Sequence, residues 1–312
     1  TPSALVVGAG GFLGSNLVDG LLGKGIQVIG LDSFSEGKRA NLEEAIKNKN
    51  FHLIEADATH ISLDIERLDY TFILANHFGL ESLFKLFSDS KTKILFVSWI
   101  DLYAHMSDSF HWFKEAEGKI AKFASHNSLN ARILRLGPVF GPRMNFDVHD
   151  PIIKLIYASL TDALQKEIAL DFSSRALFVD DGISLIIKSM LVGATAQKIF
   201  DGVAPTPVKV SEVKQILLDP IWYEEKGFTP SELPPWPTPN LEKTMKFLNW
   251  KPKVGLVEGL RKTLSYFKDH EIKLPHIAPK VEEEKKAVLE AFKASHEDHK
   301  ETRLKFKTPK LG

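Results

Sequence analysis

Near its start the chain runs Ala4-Leu-Val-Val-Gly-Ala-Gly-Gly-Phe-Leu-Gly-Ser-Asn-Leu-Val18. Leu5, Val6 and Val7 form a short apolar run of the kind found in a central parallel strand covered on both faces. Gly8, Gly11 and Gly14 follow at every third position, and Leu13, Leu17, Val18, Leu21 and Leu22 then recur with helical spacing. A strand, a glycine turn and a helix in that order let backbone N–H groups at the helix N-terminus approach a pyrophosphate. Gly14 lets the helix lie close to the strand. A second apolar run, Gln27-Val-Ile-Gly-Leu31, ends in Asp32, eighteen positions after Gly14. That offset suits a carboxylate that accepts hydrogen bonds from an adenosine ribose. A lone glycine triplet is more often a tight turn, but the strand, the helix and the acid together point to a nucleotide site.

The chain around this stretch is long enough, at 312 residues, for one large α/β domain or two lobes sharing a cleft. Its 40 basic and 40 acidic residues cancel, so no global field favours nucleic acid or an anionic membrane. The absence of cysteine excludes disulfides, thiolate metal sites and cysteine nucleophiles, and fits a reducing, cytoplasmic setting. No apolar run is long enough to span a bilayer, and the first strand lacks the form of a signal peptide. No histidine–carboxylate spacing reads as a metal site.

Strand-like and helix-like pieces alternate through the first half, which predicts an α/β fold with a doubly wound parallel sheet. Further strands are expected at 51–54, 70–75, 93–97 and 131–136, and a helix at 116–123. Residues 1–150 read as a dinucleotide-binding domain, with part of its sheet shared with later segments. Residues 151–274 read as a smaller substrate lobe, with a strand at 176–179, Asp180 and Asp181 capping the helix after it, and a second capped helix from Ser211. Residues 275–312 form a charged tail, helical or partly disordered, with a partner-binding arm as the alternative to a solvated end.

With these pieces in place, the chain resembles the extended short-chain dehydrogenase/reductase family, in its branch of NAD-dependent nucleotide-sugar epimerases, dehydratases and decarboxylases. Beyond the glycine turn, the resemblance rests on Leu31-Asp-Ser-Phe-Ser-Glu-Gly-Lys-Arg-Ala-Asn-Leu42 and Arg135-Leu-Gly-Pro-Val-Phe-Gly-Pro-Arg143. Arg175-Ala-Leu-Phe-Val-Asp-Asp181 and Lys243-Thr-Met-Lys-Phe-Leu-Asn-Trp-Lys-Pro-Lys253 continue it. It implies a Rossmann-type sheet and a bound NAD, with Gly8, Gly11, Phe12, Leu13 and Gly14 at the pyrophosphate, Asp32 at the ribose and Asp57 at the adenine. Ala75 and Lys114 would complete the cofactor site. Lys38 and Arg39 could receive the 2′-phosphate of NADP. Arg143 and Arg175 would hold the diphosphate of a nucleotide sugar, work suited to a guanidinium.

The same resemblance implies a catalytic tyrosine, a lysine four residues later and a serine or threonine at the end of the fifth strand. Here Val97-Ser-Trp-Ile-Asp-Leu-Tyr103 puts Trp99 where the hydroxyl belongs, and strand alternation turns Ser98 the other way. Phe110-His-Trp-Phe-Lys114 puts Phe110 in the tyrosine's position and keeps Lys114. A phenyl ring moves no proton. Asp101 matches an acidic position of dehydratases and decarboxylases, while His77, His105 and His111 read as surface or satisfied residues. The segment after Ala75 and the connection from Arg143 to Arg175 are short for the family, and Asn240 replaces an acid. The reading favoured is therefore a nucleotide-binding protein, non-catalytic or altered in its chemistry, with a structural, regulatory or partner-binding role. The alternative is an active enzyme on a nucleotide sugar with relocated acid–base groups. A scaffold without cofactor stands third, and the oligomeric state is open.

Overall fold

The computed structural model describes residues 1–58, 67–74, 80–87, 91–100, 108–146, 150–164, 173–193, 198–219 and 240–270. Seven parallel strands form one sheet. They are β1 (Ser3–Val7), β2 (Gln27–Asp32), β3 (Phe51–Glu55), β4 (Tyr70–Ile73), β5 (Lys93–Trp99), β6 (Ala131–Leu136) and, later in the chain, β10 (Ile199–Gly202). Their order across the sheet is β10-β6-β5-β4-β1-β2-β3, with every neighbouring pair parallel. The chain thus winds outward from β1 in one direction and from β4 in the other, leaving a switch point between them where ligands settle in such sheets. Central strands read as continuous apolar runs because both faces are covered; Ala4, Leu5 and Val6 are fully buried.

Helix α1 (Phe12–Leu22) covers one face together with α6 (Val179–Leu191), and α3 (Leu80–Phe87) packs with α4 (Asp108–His126) on the other. The first core joins Leu17 and Val18 of α1 to Ile186 and Met190 of α6, and takes in Ala45 of α2 (Glu43–Ile46), Ile152 and Ile156 of α5 (Pro151–Leu160) and Phe267. The second joins Leu5 and Phe96 to Leu83, Phe113 and Ile120. In α4 the buried residues Phe113, Ala116, Ile120 and Ala124 fall three and four apart, which fixes the face turned to the sheet. Smaller paired strands, β7 (Val139–Phe140) with β9 (Leu177–Phe178) and β8 (Ser173–Ser174) with β11 (Val208–Lys209), carry the chain away from the main sheet.

Two expected helix starts differ. Asp180 and Asp181 do not cap α6, whose N-cap is Phe178 with no side-chain bond. Asp181 instead lies inside the first turn and accepts the N–H groups of Lys253 (2.8 Å) and Val254 (3.0 Å), which pins the turn before α9 (Leu256–Asp269). Ser211 likewise lies within α7 (Val210–Leu218), which starts from Lys209 without a side-chain cap. Asn240 does cap α8 (Leu241–Leu248), accepting from the Lys243 N–H. Buried Arg132 on β6 closes the other end of α6, donating to the carbonyls of Ser189, Met190 and Gly193. Burial holds its guanidinium below the usual arginine range. The tail, 275–312, lies outside the described residues.

Candidate cofactor cleft

The strand-to-helix turn after β1 is held by several backbone bonds. The N–H groups of Gly8 and Ala9 both donate to the Leu31 carbonyl, at 2.9 and 3.2 Å, and Gly11 closes onto Gly8 at 3.2 Å. Gly8 sits at φ 84°, a conformation that favours glycine. A Cβ on Gly14 would lie 1.9 Å from the Gly8 carbonyl oxygen, so only glycine lets α1 approach the strand this closely. Gly11 is the N-cap of α1 and offers no side-chain cap, so the helix presents its first backbone N–H groups toward a cleft bordered by Gly11, Phe12, Leu13 and Gly14. The positive end of the helix and these donors suit an anion.

The cleft, of about 450 Å³, runs along the carboxyl ends of the strands. At one end stands Asp32, the last residue of β2. Its Oδ2 accepts the Gly10 N–H at 2.8 Å and its Oδ1 accepts the Phe34 N–H at 2.7 Å. Each oxygen keeps lone pairs for further donors. Phe34, at φ 56°, lies over Gly10, where a Cβ would meet its ring at 2.5 Å. Gly37 is equally confined, since a Cβ there would lie 2.9 Å from Oδ2 of Asp32. The Lys38 N–H and the Asn41 side-chain amide both donate to the Gly10 carbonyl at 2.9 Å, which ties the loop after β2 to the glycine turn. Gly10, Gly37 and Asn41 thus shape this end, although the every-third-residue glycine pattern did not single them out. The signal available was that Gly10 and Gly37 flank Asp32 in loops that must pass close to its carboxylate.

Most of the expected nucleotide residues converge here. Gly8, Gly11, Phe12, Leu13, Gly14, Asp32, Lys38 and Asp57 all border the one cleft. Arg39 does not, and instead pairs with Glu55 on β3 at 2.6 Å. Ala75 lies outside the described residues, while its neighbour Leu74 borders the cleft and donates its N–H to the Val7 carbonyl.

The opposite end is apolar. Trp99, 38% exposed, and buried Phe113 border it, with Leu136 and Pro138 from the turn after β6. Lys114 is exposed and is not among the cleft residues; the face of α4 that meets the sheet carries Phe113 instead. Lys114, expected at the cofactor, follows Phe113 by one helical position, a rotation of about 100°. Ser98 stands beside Trp99. Both residues border the cleft at the end of β5. Ser98 is 3% exposed and its Oγ has no hydrogen-bond partner. The backbone of Phe110 lies in α4, but its side chain, that of His111, and residues Asp101, Tyr103, His77 and His105 are outside what the structure describes.

The two arginines expected at a diphosphate part ways. Arg143, at φ 68°, borders the cleft and donates to Asp19 of α1 at 2.7 Å. Arg175 is buried away from it, and its Nη1 donates to the carbonyls of Ala204 and Pro205 at 2.9 Å each. Burial lowers the Arg175 guanidinium from its usual range. Its place is corrected to that of a clamp between the β8–β9 turn and the segment after β10. Among the described residues no cluster of three or more histidine or acidic side chains could hold a metal, and no helix is long and apolar enough to cross a membrane.

Residues 4–83 match the model of the NAD dependent epimerase/dehydratase family, a stretch that holds the glycine turn, Asp32 and β4. Among curated proteins the chain is similar to UDP-glucuronic acid decarboxylase 1 of Arabidopsis thaliana, at 24% identity over 310 residues, covering 85% of this chain and 69% of that protein. UDP-glucuronic acid decarboxylase 3 of the same plant is 25% identical over 295 residues, covering 82% and 86%. Among solved structures, the Bordetella bronchiseptica enzyme WbmF in complex with NAD+ and UDP superposes with a TM-score of 0.72 at 18% identity, covering 95% of this chain and 97% of that one. UDP-glucuronic acid 4-epimerase from Bacillus cereus in complex with NAD gives 0.71 at 19%, covering 86% and 100%. The chain therefore resembles the epimerase/dehydratase family and shares its α/β fold.

Proposed function

We propose that the chain binds NAD in this cleft and does not carry out the acid–base chemistry of the epimerases and dehydratases it resembles. The observation that carries this reading is the contrast between the two ends of one cleft. One end has a glycine turn, an open helix N-terminus and a carboxylate already oriented by two backbone N–H groups. The other is walled by Trp99 and Phe113, neither of which exchanges a proton.

The chain's own residues fit the cofactor. The N–H groups from Gly11 to Leu13 hold the pyrophosphate, and Asp32 accepts the adenosine ribose hydroxyls. The Asp32 carboxylate repels a 2′-phosphate, and Arg39 is engaged by Glu55, which leaves Lys38 alone to favour NADP; NAD is the preferred ligand. NAD supplies a hydride acceptor when bound, but a sugar hydroxyl can give up hydride only as a base takes its proton. Lys114 is exposed and is not among the residues bordering the cleft, and Trp99 supplies no hydroxyl. The protein would then act as a nucleotide-responsive structural or regulatory subunit.

The second reading is an active enzyme on a nucleotide sugar of the kind named by the UDP-glucuronic acid decarboxylases. The likeness to those decarboxylases along 82–85% of the chain favours it. Incubating the NAD-loaded protein with UDP-glucuronic acid, UDP-glucose and UDP-galactose separates the two. Unchanged sugars with NAD retained support binding without turnover. Conversion of any of them supports the enzyme.

A further inference from the structure

A second cavity, of about 610 Å³, lies apart from the cofactor cleft as a groove between α1 and α6, with Leu248 of α8 at its edge. Its floor is apolar. Gly20 of α1 lies against Ile183 and Ile187 of α6, and Leu191 stands 42% exposed at the end of that helix. Both helices precede parallel strands of the sheet, so they run the same way. The charges along the groove are sorted accordingly. Asp180, in the first turn of α6, and Asp19 of α1 make one half acidic. Lys24, just past α1, and Lys188, in the last turn of α6, make the other half basic. Neither Lys24 nor Asp180 forms an ion pair among the described residues. An apolar groove with charges sorted along its length suits an amphipathic helix of the opposite charge order.

We infer that residues 281–292 of the chain's own tail occupy this groove, as a helix laid antiparallel to α1 and α6. At about 100° per residue, Val281, Val288, Leu289 and Phe292 share one apolar stripe. Glu282 and Glu284 flank the start of that stripe, about 80° to either side, where an antiparallel helix meets Lys24 on one wall and Lys188 on the other. Lys285, one turn on, falls toward the acidic half. The tail also reaches. The described residues end at His270, eight positions or about 12 Å of helix after Lys262, whose charge acts on Asp180. The eleven residues from His270 to Val281 span up to about 36 Å, enough to pass Asp180 and the roughly 17 Å of α6 between it and Leu191. A docked arm lies beside Asp19, whose ion pair with Arg143 reaches the border of the cofactor cleft. The inference does not depend on what that cleft binds.

The chain has no cysteine, so introduced pairs report proximity without interference. Three full-length double variants are oxidised mildly and their disulfides followed by peptide mass spectrometry. They are Leu191→Cys with Val281→Cys, Leu191→Cys with Phe292→Cys, and Lys122→Cys with Val281→Cys, the last from α4 across the sheet. Leu191, Lys122 and Lys24 are exposed, so the substitutions leave the core intact. The first pair should close within one chain about tenfold faster than the other two, because docking raises the local concentration of Val281 at Leu191. Adding Lys24→Glu should slow it roughly two- to fivefold, as one surface attraction becomes a repulsion. Equal rates for the three pairs overturn the inference, by showing an arm that visits the whole surface. A faster Phe292 pair, or a rate indifferent to Lys24→Glu, overturns the charge-matched antiparallel docking. A disulfide-linked dimer also overturns it, by placing a second copy's arm in the groove.

Discussion

Glu117 of α4 grips Arg135 of β6 through two oxygens, Oε2 to Nη2 at 2.7 Å and Oε1 to Nε at 3.0 Å. This ion pair raises the Arg135 guanidinium above its usual range, chiefly through the hydrogen bonds from Glu117. Because Glu117 lies four residues after Phe113, the two share a face of the helix. The pair therefore sets the rotation of α4, bringing Phe113 to the cleft and leaving Lys114 in solvent. Glu117→Ala should destabilise the protein by about 1–2 kcal/mol, as one lost charge-assisted pair with a partly buried partner. Chemical denaturation of the two proteins checks this, and an unchanged midpoint would show that packing alone sets the helix.

Gly14→Ala introduces a Cβ that would lie 1.9 Å from the Gly8 carbonyl oxygen. The clash is with backbone, so either α1 moves away or the turn opens. A loss of about 2 kcal/mol or more is expected, the scale of a strained or overpacked core position. NAD+ affinity should fall more steeply than stability, because the same shift displaces the donors of the turn. Thermal melts with and without NAD+ measure both.

Asp32→Asn keeps the shape but removes the charge that the Gly10 and Phe34 N–H groups orient. Loss of a charge-assisted bond to the ribose weakens NAD+ binding by roughly 10- to 100-fold. Discrimination against NADP+ should shrink as well, since the repelling carboxylate is gone. Parallel titrations of the two cofactors report it.

The glycine turn, the succession of strands and helices along the chain and the acid after β2 were legible because each rests on local rules: close approach needs glycine, apolar runs mark covered strands, and the offset to Asp32 follows from one βαβ unit. Lys114 and Arg175 were not legible. Whether a helical residue faces the cleft or solvent depends on a rotation set by Phe113, Ala116 and the Glu117–Arg135 pair, which a gap in spacing of one residue reverses. Arg175 matched its motif in sequence, but the carbonyls of Ala204 and Pro205, about thirty residues on, claim its guanidinium.

Arg132→Leu tests the closure of α6. The guanidinium holds three carbonyls at the end of that helix, at 2.8, 3.1 and 3.0 Å, inside the core. The apolar replacement leaves them unpaired, at an expected cost of about 3 kcal/mol. Denaturant titration checks it.

Asp69, beside β1, accepts from the Ser3 N–H at 2.9 Å and pairs with Arg67 at 2.9 Å. Burial pushes its carboxyl up, but the Ser3 and Arg67 bonds outweigh this and hold it below the ordinary aspartate value. A depressed carboxylate stabilises the fold above its unfolded pKa of about 3.9 and loses that contribution as pH falls through the folded value. Asp69→Asn should therefore be less stable than wild type at pH 7, by roughly 1 kcal/mol, with the gap closing below about pH 4. Stability measured across that window tests the sign.

On the proposed function, one cleft binds NAD without using it on a sugar nucleotide. The most direct measurement loads the purified protein with NAD+, adds UDP-glucuronic acid, and follows both the absorbance of reduced nicotinamide and the products. Stoichiometric NAD+, no reduced cofactor and unchanged sugar nucleotide are expected. Transient reduction of the bound cofactor, or release of carbon dioxide or an epimerised sugar, would contradict it.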